Sequence, residues 1–108
     1  MTPLPATIAR FIEASNARDL DAAVACFASD AVVEDEGQTH RGIAAVRAWK
    51  KATEDRSRYT IDPTDAEQRD GETVVTATLA GDFPGSPVEL KYEFTLADDA
   101  IEALRIHP

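Results

Sequence analysis

The sequence predicts an α+β fold: a curled antiparallel β-sheet wrapped by three helices, forming a cone around an apolar pocket. Three observations lead there. Apolar residues recur at helical spacing in the first half of the chain and at strand spacing in the second. Tight-turn residues separate the strands, as at Asp70-Gly71 and Pro84-Gly85-Ser86-Pro87. One strand falls among the helices, beginning in apolar residues and running out into Glu34-Asp35-Glu36.

The elements follow in order. Leu4, Ile8, Phe11, Ile12 and Ser15 mark one face of a first helix, and Pro3 and Pro5 suit its start, where no N–H is needed. Asn16-Ala17-Arg18 breaks the pattern. Asp19 then serves as N-cap of a second helix with Leu20, Ala23, Val24 and Phe27 as its buried stripe. Residues 31–35 read as a short strand and residues 37–42 as a loop. A third helix spans Ile43 to Ala52, with Ile43, Val46 and Trp49 or Lys50 at helical spacing, and Thr53 to Ser57 reads as a polar connection. From Arg58 the period becomes two. Pro63 marks that strand as an edge or bulged one. Glu72 to Phe83 is a long strand carrying Val75, Ala77, Leu79 and Phe83 on one face. Val88, Leu90, Tyr92, Phe94 and Leu96 alternate cleanly with polar neighbours in the next. Asp98-Asp99 turns the chain into a last strand, Ile101 to His107.

A length of 108 residues points to a single domain, 1–108, able to bury a core unaided. The lone Cys26 excludes an internal disulfide and reads as a small core residue. The net charge of −9 argues against nucleic acid as a partner. No apolar run approaches the roughly 20 residues of a membrane span, and Met1-Thr2-Pro3-Leu4-Pro5 lacks the features of a signal peptide. A cytoplasmic protein without membrane contact is the expectation. The two histidines and scattered carboxylates show no metal-ligand spacing, and no Gly-rich phosphate loop is present, so no metal or cofactor is expected.

The candidate for chemistry is Asp35. Two readings are open: a solvated strand end, or a carboxylate at the mouth of an apolar pocket that handles protons. Tyr92 lies on the apolar face of its strand with Leu90 and Phe94, so its hydroxyl either reaches a backbone carbonyl in the core or opens into the pocket. Phe11, Phe27, Val33, Trp49, Leu90 and Phe94 are the residues expected to bind a hydrophobic small molecule. His40 reads as a solvated loop histidine and His107 as a surface residue.

Three stretches carry a family resemblance. Phe11-Ile12-Glu13-Ala14-Ser15-Asn16-Ala17-Arg18-Asp19-Leu20-Asp21-Ala22, Phe27-Ala28-Ser29-Asp30-Ala31-Val32-Val33-Glu34-Asp35 and Arg41-Gly42-Ile43-Ala44-Ala45-Val46-Arg47 resemble the nuclear transport factor 2-like superfamily. Within it the chain is most similar to the SnoaL-like polyketide cyclase and ketosteroid isomerase-like group. That resemblance places Asp35 on the proton-shuttling aspartate of the isomerases. Their two enolate-binding donors, a tyrosine and a protonated aspartate, fall on Phe11 and Tyr92. Phe11 has no hydroxyl; Tyr92 either replaces the lost donor or is a core tyrosine whose hydroxyl reaches a backbone carbonyl. The resemblance also implies a homodimer paired through the sheet. Epoxide hydrolases of the same fold suggest a weaker arrangement of Asp35 with Arg41 or Arg47 and Glu93. Together these readings imply an isomerase- or cyclase-like enzyme acting on a hydrophobic carbonyl or polyketide-like compound, with Asp35 as general acid–base. The alternative is a non-catalytic ligand-binding or dimerisation module of the same fold.

Overall fold

The strand period that begins near residue 58 becomes four consecutive antiparallel strands in the computed structural model, which describes residues 3–108. The first two residues of the N-terminal stretch read for a leader lie outside the described residues. The strands are β3 (Tyr59–Arg69), β4 (Glu72–Gly81), β5 (Val88–Ala97) and β6 (Ala100–His107). Before them come α1 (Ala6–Asn16), α2 (Leu20–Val24), β1 (Phe27–Asp35), β2 (Gln38–Arg41) and α3 (Ile43–Arg56). The six strands form one sheet in the order β2-β1-β6-β5-β4-β3. The last strand returns to the middle of the sheet, between β1 and β5, and lies parallel to β1. The other pairings are antiparallel.

Turn chemistry explains the hairpins. Glu36 and Gly37, Asp70 and Gly71, and Asp98 and Asp99 all have positive φ at consecutive positions. Each pair links strands paired on either side of it, at Asp35↔Gln38, Arg69↔Glu72 and Ala97↔Ala100. Such two-residue turns match the right-handed twist of the strands they join. Pro63 falls in β3, an edge strand, and the register shifts between Pro63 and Asp65. That is where a proline costs least, because its missing N–H is not required by a second neighbour.

Four boundaries differ from the sequence reading. Phe27 does not close the stripe of α2; it opens β1, because the helix ends at Val24 and the chain turns through Ala25 and Cys26. Its i+7 spacing from Leu20 fits the helix, and its even spacing from Ala31 and Val33, buried with it, fits the strand. The stretch 37–42 holds a short strand, β2, paired to the end of β1. The third helix continues through the polar segment to Arg56. Phe83 lies past the end of β4.

The core sits between the helices and the concave sheet face. Ile8, Phe11 and Ile12 of α1 are buried there with Val33, Val75, Phe94, Ile101 and Leu104 from the strands. Burying each such side chain stabilises the fold by about 1.5–3 kcal/mol. Asp19 caps α2 by accepting from Ala22 N–H at 3.1 Å. Two polar side chains of the α1–α2 break fix its neighbours. Asn16 donates to Ile61 O at 2.9 Å and accepts from Ile61 N–H at 2.7 Å, so it occupies the open edge of β3. Arg18 donates to Glu54 O at 2.6 Å and Ser57 O at 3.3 Å, meeting carbonyls left free at the end of α3. These contacts hold α3 over the sheet, where it forms one wall of a cavity.

Candidate active site

A cavity of about 780 Å³ opens between α3, the concave sheet face and the segment after β4. That volume lies within the roughly 300–1,000 Å³ usual for small-molecule sites. Its wall is predominantly apolar, with Phe11, Ile61, Leu79, Leu90 and Ile106 among the lining residues.

Asp35 enters this wall because β1 ends there. The Glu36-Gly37 turn follows at once, so Asp35 is the last residue still paired to β6, opposite Ile106. Ile106 is in turn opposite Tyr92 on β5. Residues paired in register point to the same sheet face. Asp35, Ile106 and Tyr92 therefore form one row across three strands, and all three line the cavity. Two strand spacings separate the Asp35 and Tyr92 backbones by about 10 Å. Trp49 of α3 closes on Asp35 from above: its indole N–H donates to Asp35 Oδ2 at 3.0 Å.

The electrostatics follow from these positions. Half-burial in an apolar wall raises the Asp35 pKa above the usual aspartate value, and the negative charge of Glu36 adds to the rise. The Trp49 hydrogen bond is the largest opposing influence, followed by the charges of Arg56 and His40. Tyr92 is 4 % exposed. Its phenol is pushed well above the ordinary tyrosine value, chiefly by burial and then by Tyr59 and Asp35. It stays protonated, a hydrogen-bond donor at the cavity wall.

The remaining expected site residues divide into two ranks. Phe11, Trp49 and Leu90 line the cavity with Asp35 and Tyr92. Phe27, Val33 and Phe94 do not; they lie behind it, buried in the core. An edge-to-face series explains their place. Ring centroids lie 5.4 Å apart for Phe11–Phe27, 5.9 Å for Phe11–Phe94 and 6.5 Å for Phe27–Trp49. Phe94 stacks beneath Tyr92 at 6.1 Å. These rings support the lining aromatics and set their angles. His40 packs on the indole of Trp49, 6.3 Å between centroids, and its charge acts on Asp35 without lining the cavity. His107 does reach the cavity lining and is hydrogen-bonded to Glu93.

The carboxylate–arginine–carboxylate arrangement is not assembled. Arg47 pairs with Asp21 at 2.5 Å on the surface, and Arg41 is exposed. Glu93 alternates away from Tyr92 and meets His107. Among the described residues, no three His, Cys, Asp or Glu side chains gather as a metal site.

Several lining residues lie outside the set expected from sequence, Tyr59, Ile61, Leu79 and Ile106 among them, and Lys50 is the one that bears on the chemistry. Lys50 is 1 % exposed and stands in the cavity wall. A signal existed: Val46, Trp49, Lys50 and Thr53 sit at i, i+3, i+4 and i+7, and all four are buried. Reading Thr53 to Ser57 as a connection cut that stripe short.

Comparison with known proteins agrees with this fold. The model of the SnoaL-like domain matches residues 8–103. The chain belongs to the SnoaL-like domain family. This SnoaL-like chain also resembles a proposed polyketide cyclase from Sinorhizobium meliloti, with 38% sequence identity and a TM-score of 0.92. That match covers 96% of this chain and 95% of the other. A hypothetical protein with a ketosteroid isomerase-like fold from Catenulispora acidiphila, solved in complex with trimethylamine, shares the fold at 18% identity and a TM-score of 0.86. It is covered over 87% of its length by 98% of this chain. A computationally designed 17-OHP binder shares the fold at 17% identity and a TM-score of 0.80, over 94% of this chain and 87% of that one. No curated protein matches the chain. These relatives place the SnoaL-like domain in the nuclear transport factor 2-like superfamily. No helix among the described residues is long and apolar enough to cross a membrane.

Proposed function

We propose that this SnoaL-like domain is an isomerase- or cyclase-like enzyme acting on a hydrophobic carbonyl compound, with Asp35 as general acid–base. The observation that carries this reading is the position of Asp35. Its carboxylate stands in the wall of an open apolar cavity, held through one oxygen by the Trp49 indole. With Oδ2 held, Oδ1 is the oxygen left to take a proton. The Asp35 carboxylate removes a proton from a carbon next to the carbonyl, and the C–H electron pair moves onto the carbonyl oxygen as an enolate. Tyr92 supplies a hydrogen bond to that oxygen and remains protonated. Protonated Asp35 then returns the proton to a second carbon, or the enolate carbon attacks a second carbonyl carbon of the same molecule, closing a ring as that C=O π pair moves onto its oxygen, which takes the proton from Asp35. A raised carboxyl pKa suits both halves of the cycle, because the group must take the proton and also give it back. The kinship with a proposed polyketide cyclase supports a ring-forming or ring-adjusting substrate class.

Phe11 favours a second reading, a binding module without chemistry. It fills the position of a donor and offers no hydroxyl, and loss of one enolate donor typically costs about 3 kcal/mol of barrier. The same experiment separates the two. A panel of cyclic ketones in deuterated buffer is followed by NMR for exchange of the hydrogens next to the carbonyl. Exchange above the buffer rate with the wild type, abolished in Asp35→Asn, supports the enzyme. Exchange equal in both proteins, or none above buffer while ligands still bind, leaves the binding module.

A homodimer paired through the outer sheet face belongs to the same proposal. Glu89, Lys91, Glu93 and Thr95 of β5 face that way, a mixed surface of the kind a symmetric pair can match with itself.

A further inference from the structure

Lys50 is an unusual wall residue. A lysine leaves water at a large cost unless its ammonium is well partnered. Here the partners are few. Nζ donates to the Tyr59 hydroxyl at 3.4 Å, at the long end of hydrogen bonding. The Glu54 carboxylate is 3.8 Å away, close enough to share charge and too far for a hydrogen bond. Glu54 Oε2 is itself buried and without a hydrogen-bond partner. The remaining neighbours are the faces of Phe11 and Tyr59, 5.4 and 5.7 Å from Nζ to their centroids. An ammonium has three N–H donors, so its hydrogen bonding is incomplete at a cavity wall.

The other charged lining groups differ. Asp35 is half-buried and accepts from Trp49, His107 meets Glu93, Glu36 and Arg56 are exposed and pair with each other at 3.2 Å, and Asp82 is exposed. Lys50 is thus the buried cation of this cavity. An oxygen acceptor on a bound molecule would complete its donors in surroundings where charge-assisted bonds are strong.

We propose that Lys50 is an oxyanion-binding residue, so the cavity takes an apolar molecule bearing an anionic oxygen: a carboxylate, a phenolate or an enolate. This rests on the reading of the cavity as a ligand site, and it names the substrate class. Phe11 and Tyr59 flank the ammonium with ring faces, which accept a flat apolar body beside the charged end. The arrangement also gives an enolate formed by Asp35 a second stabilising group besides Tyr92.

Two probes of one shape test it: 2-naphthoate, anionic at neutral pH, and neutral 2-naphthamide. Each is titrated calorimetrically into the wild type, Lys50→Met and Lys50→Arg. The expected result is tighter binding of naphthoate by the wild type, by about tenfold or more, as a buried charge-assisted bond provides. Lys50→Arg keeps that preference. Lys50→Met loses it and still binds the amide. Equal affinity of the wild type for both probes overturns the proposal and leaves the cavity intact as a ligand site. So does a preference that survives in Lys50→Met, which would make the Lys50–Glu54 pair purely structural. Failure of the wild type to bind either probe overturns the ligand-site reading and the proposal together.

Discussion

Replacing Trp49 by phenylalanine removes one N–H and part of one ring, and the two losses can be separated by pH. The indole N–H donates to Asp35 Oδ2 at 3.0 Å. A hydrogen bond to a charged acceptor contributes about 1.5–3 kcal/mol when enclosed. Asp35 is only half-buried, so water partly replaces the lost donor and the expected loss is about 1–2 kcal/mol. Trimming the indole against Phe27 and His40 adds about 1 kcal/mol that does not depend on pH. Trp49→Phe is therefore destabilised by about 2–3 kcal/mol near neutrality. The hydrogen-bond part belongs to the carboxylate form. It is present above the folded pKa of Asp35 and shrinks as pH falls through it, leaving a difference smaller by about 1 kcal/mol once the carboxyl is neutral. The variant should also hold its Asp35 proton to a higher pH than the wild type, because the influence that opposes burial is gone. Trp49 is the only tryptophan, so urea melts are followed by far-ultraviolet circular dichroism at neutral pH and at about pH 3. A loss constant within about 0.3 kcal/mol between the two would refute the coupling of the indole to the carboxylate.

Three further outcomes are expected. Phe27→Ala should cost about 3–5 kcal/mol, because its ring is buried between Phe11 and Trp49; a denaturant melt with a loss below about 1 kcal/mol would contradict that packing. Turnover of an unsaturated ketosteroid should be far below that of the isomerases the chain resembles, since Phe11 removes a donor; an isomerase-level rate in a spectrophotometric assay would contradict it. Sedimentation at micromolar concentration should give the mass of two chains, and the mass of one chain alone would remove the proposed dimer.

The sequence carried the elements whose signal is local. The stripe of α1, the Asp19 cap, the edge placement of the Pro63 strand and the alternation of β5 all rest on neighbours within a few residues, and the structure agrees with each. The parallel pairing of β1 with β6 joins distant parts of the chain, and no local pattern encodes it. Phe27 was ambiguous because one apolar residue at a helix end satisfies both periods. The carboxylate at the end of an apolar strand pointed to Asp35, whose side chain the fold then supplies with Trp49 and a cavity. Lys50 shares the helical spacing with Trp49, but its type argues against a place in the site: a lysine at a helical position normally counts as surface. Its burial depends on the sheet curling over α3, which Lys50 itself does not reveal. Phe27, Val33 and Phe94 lie behind the cavity and not in its wall; apolar residues of a cone are equally suited to line its cavity or to fill its core, and only tertiary packing sorts them.

The central claim is that Asp35 is a pocket carboxylate, and its own titration tests this most directly. Burial in the cavity wall raises its folded-state pKa above that of the unfolded chain. The folded protein then holds that proton more tightly. The stabilisation this gives is fully present below the unfolded pKa and is lost as pH rises through the folded pKa. Labelling the aspartate carboxyl carbons, assigning Asp35 by its absence in Asp35→Asn, and following its NMR shift against pH yields the value. The account predicts a midpoint above that of a model aspartate peptide. A midpoint at or below it would contradict the claim and return Asp35 to a solvated strand end.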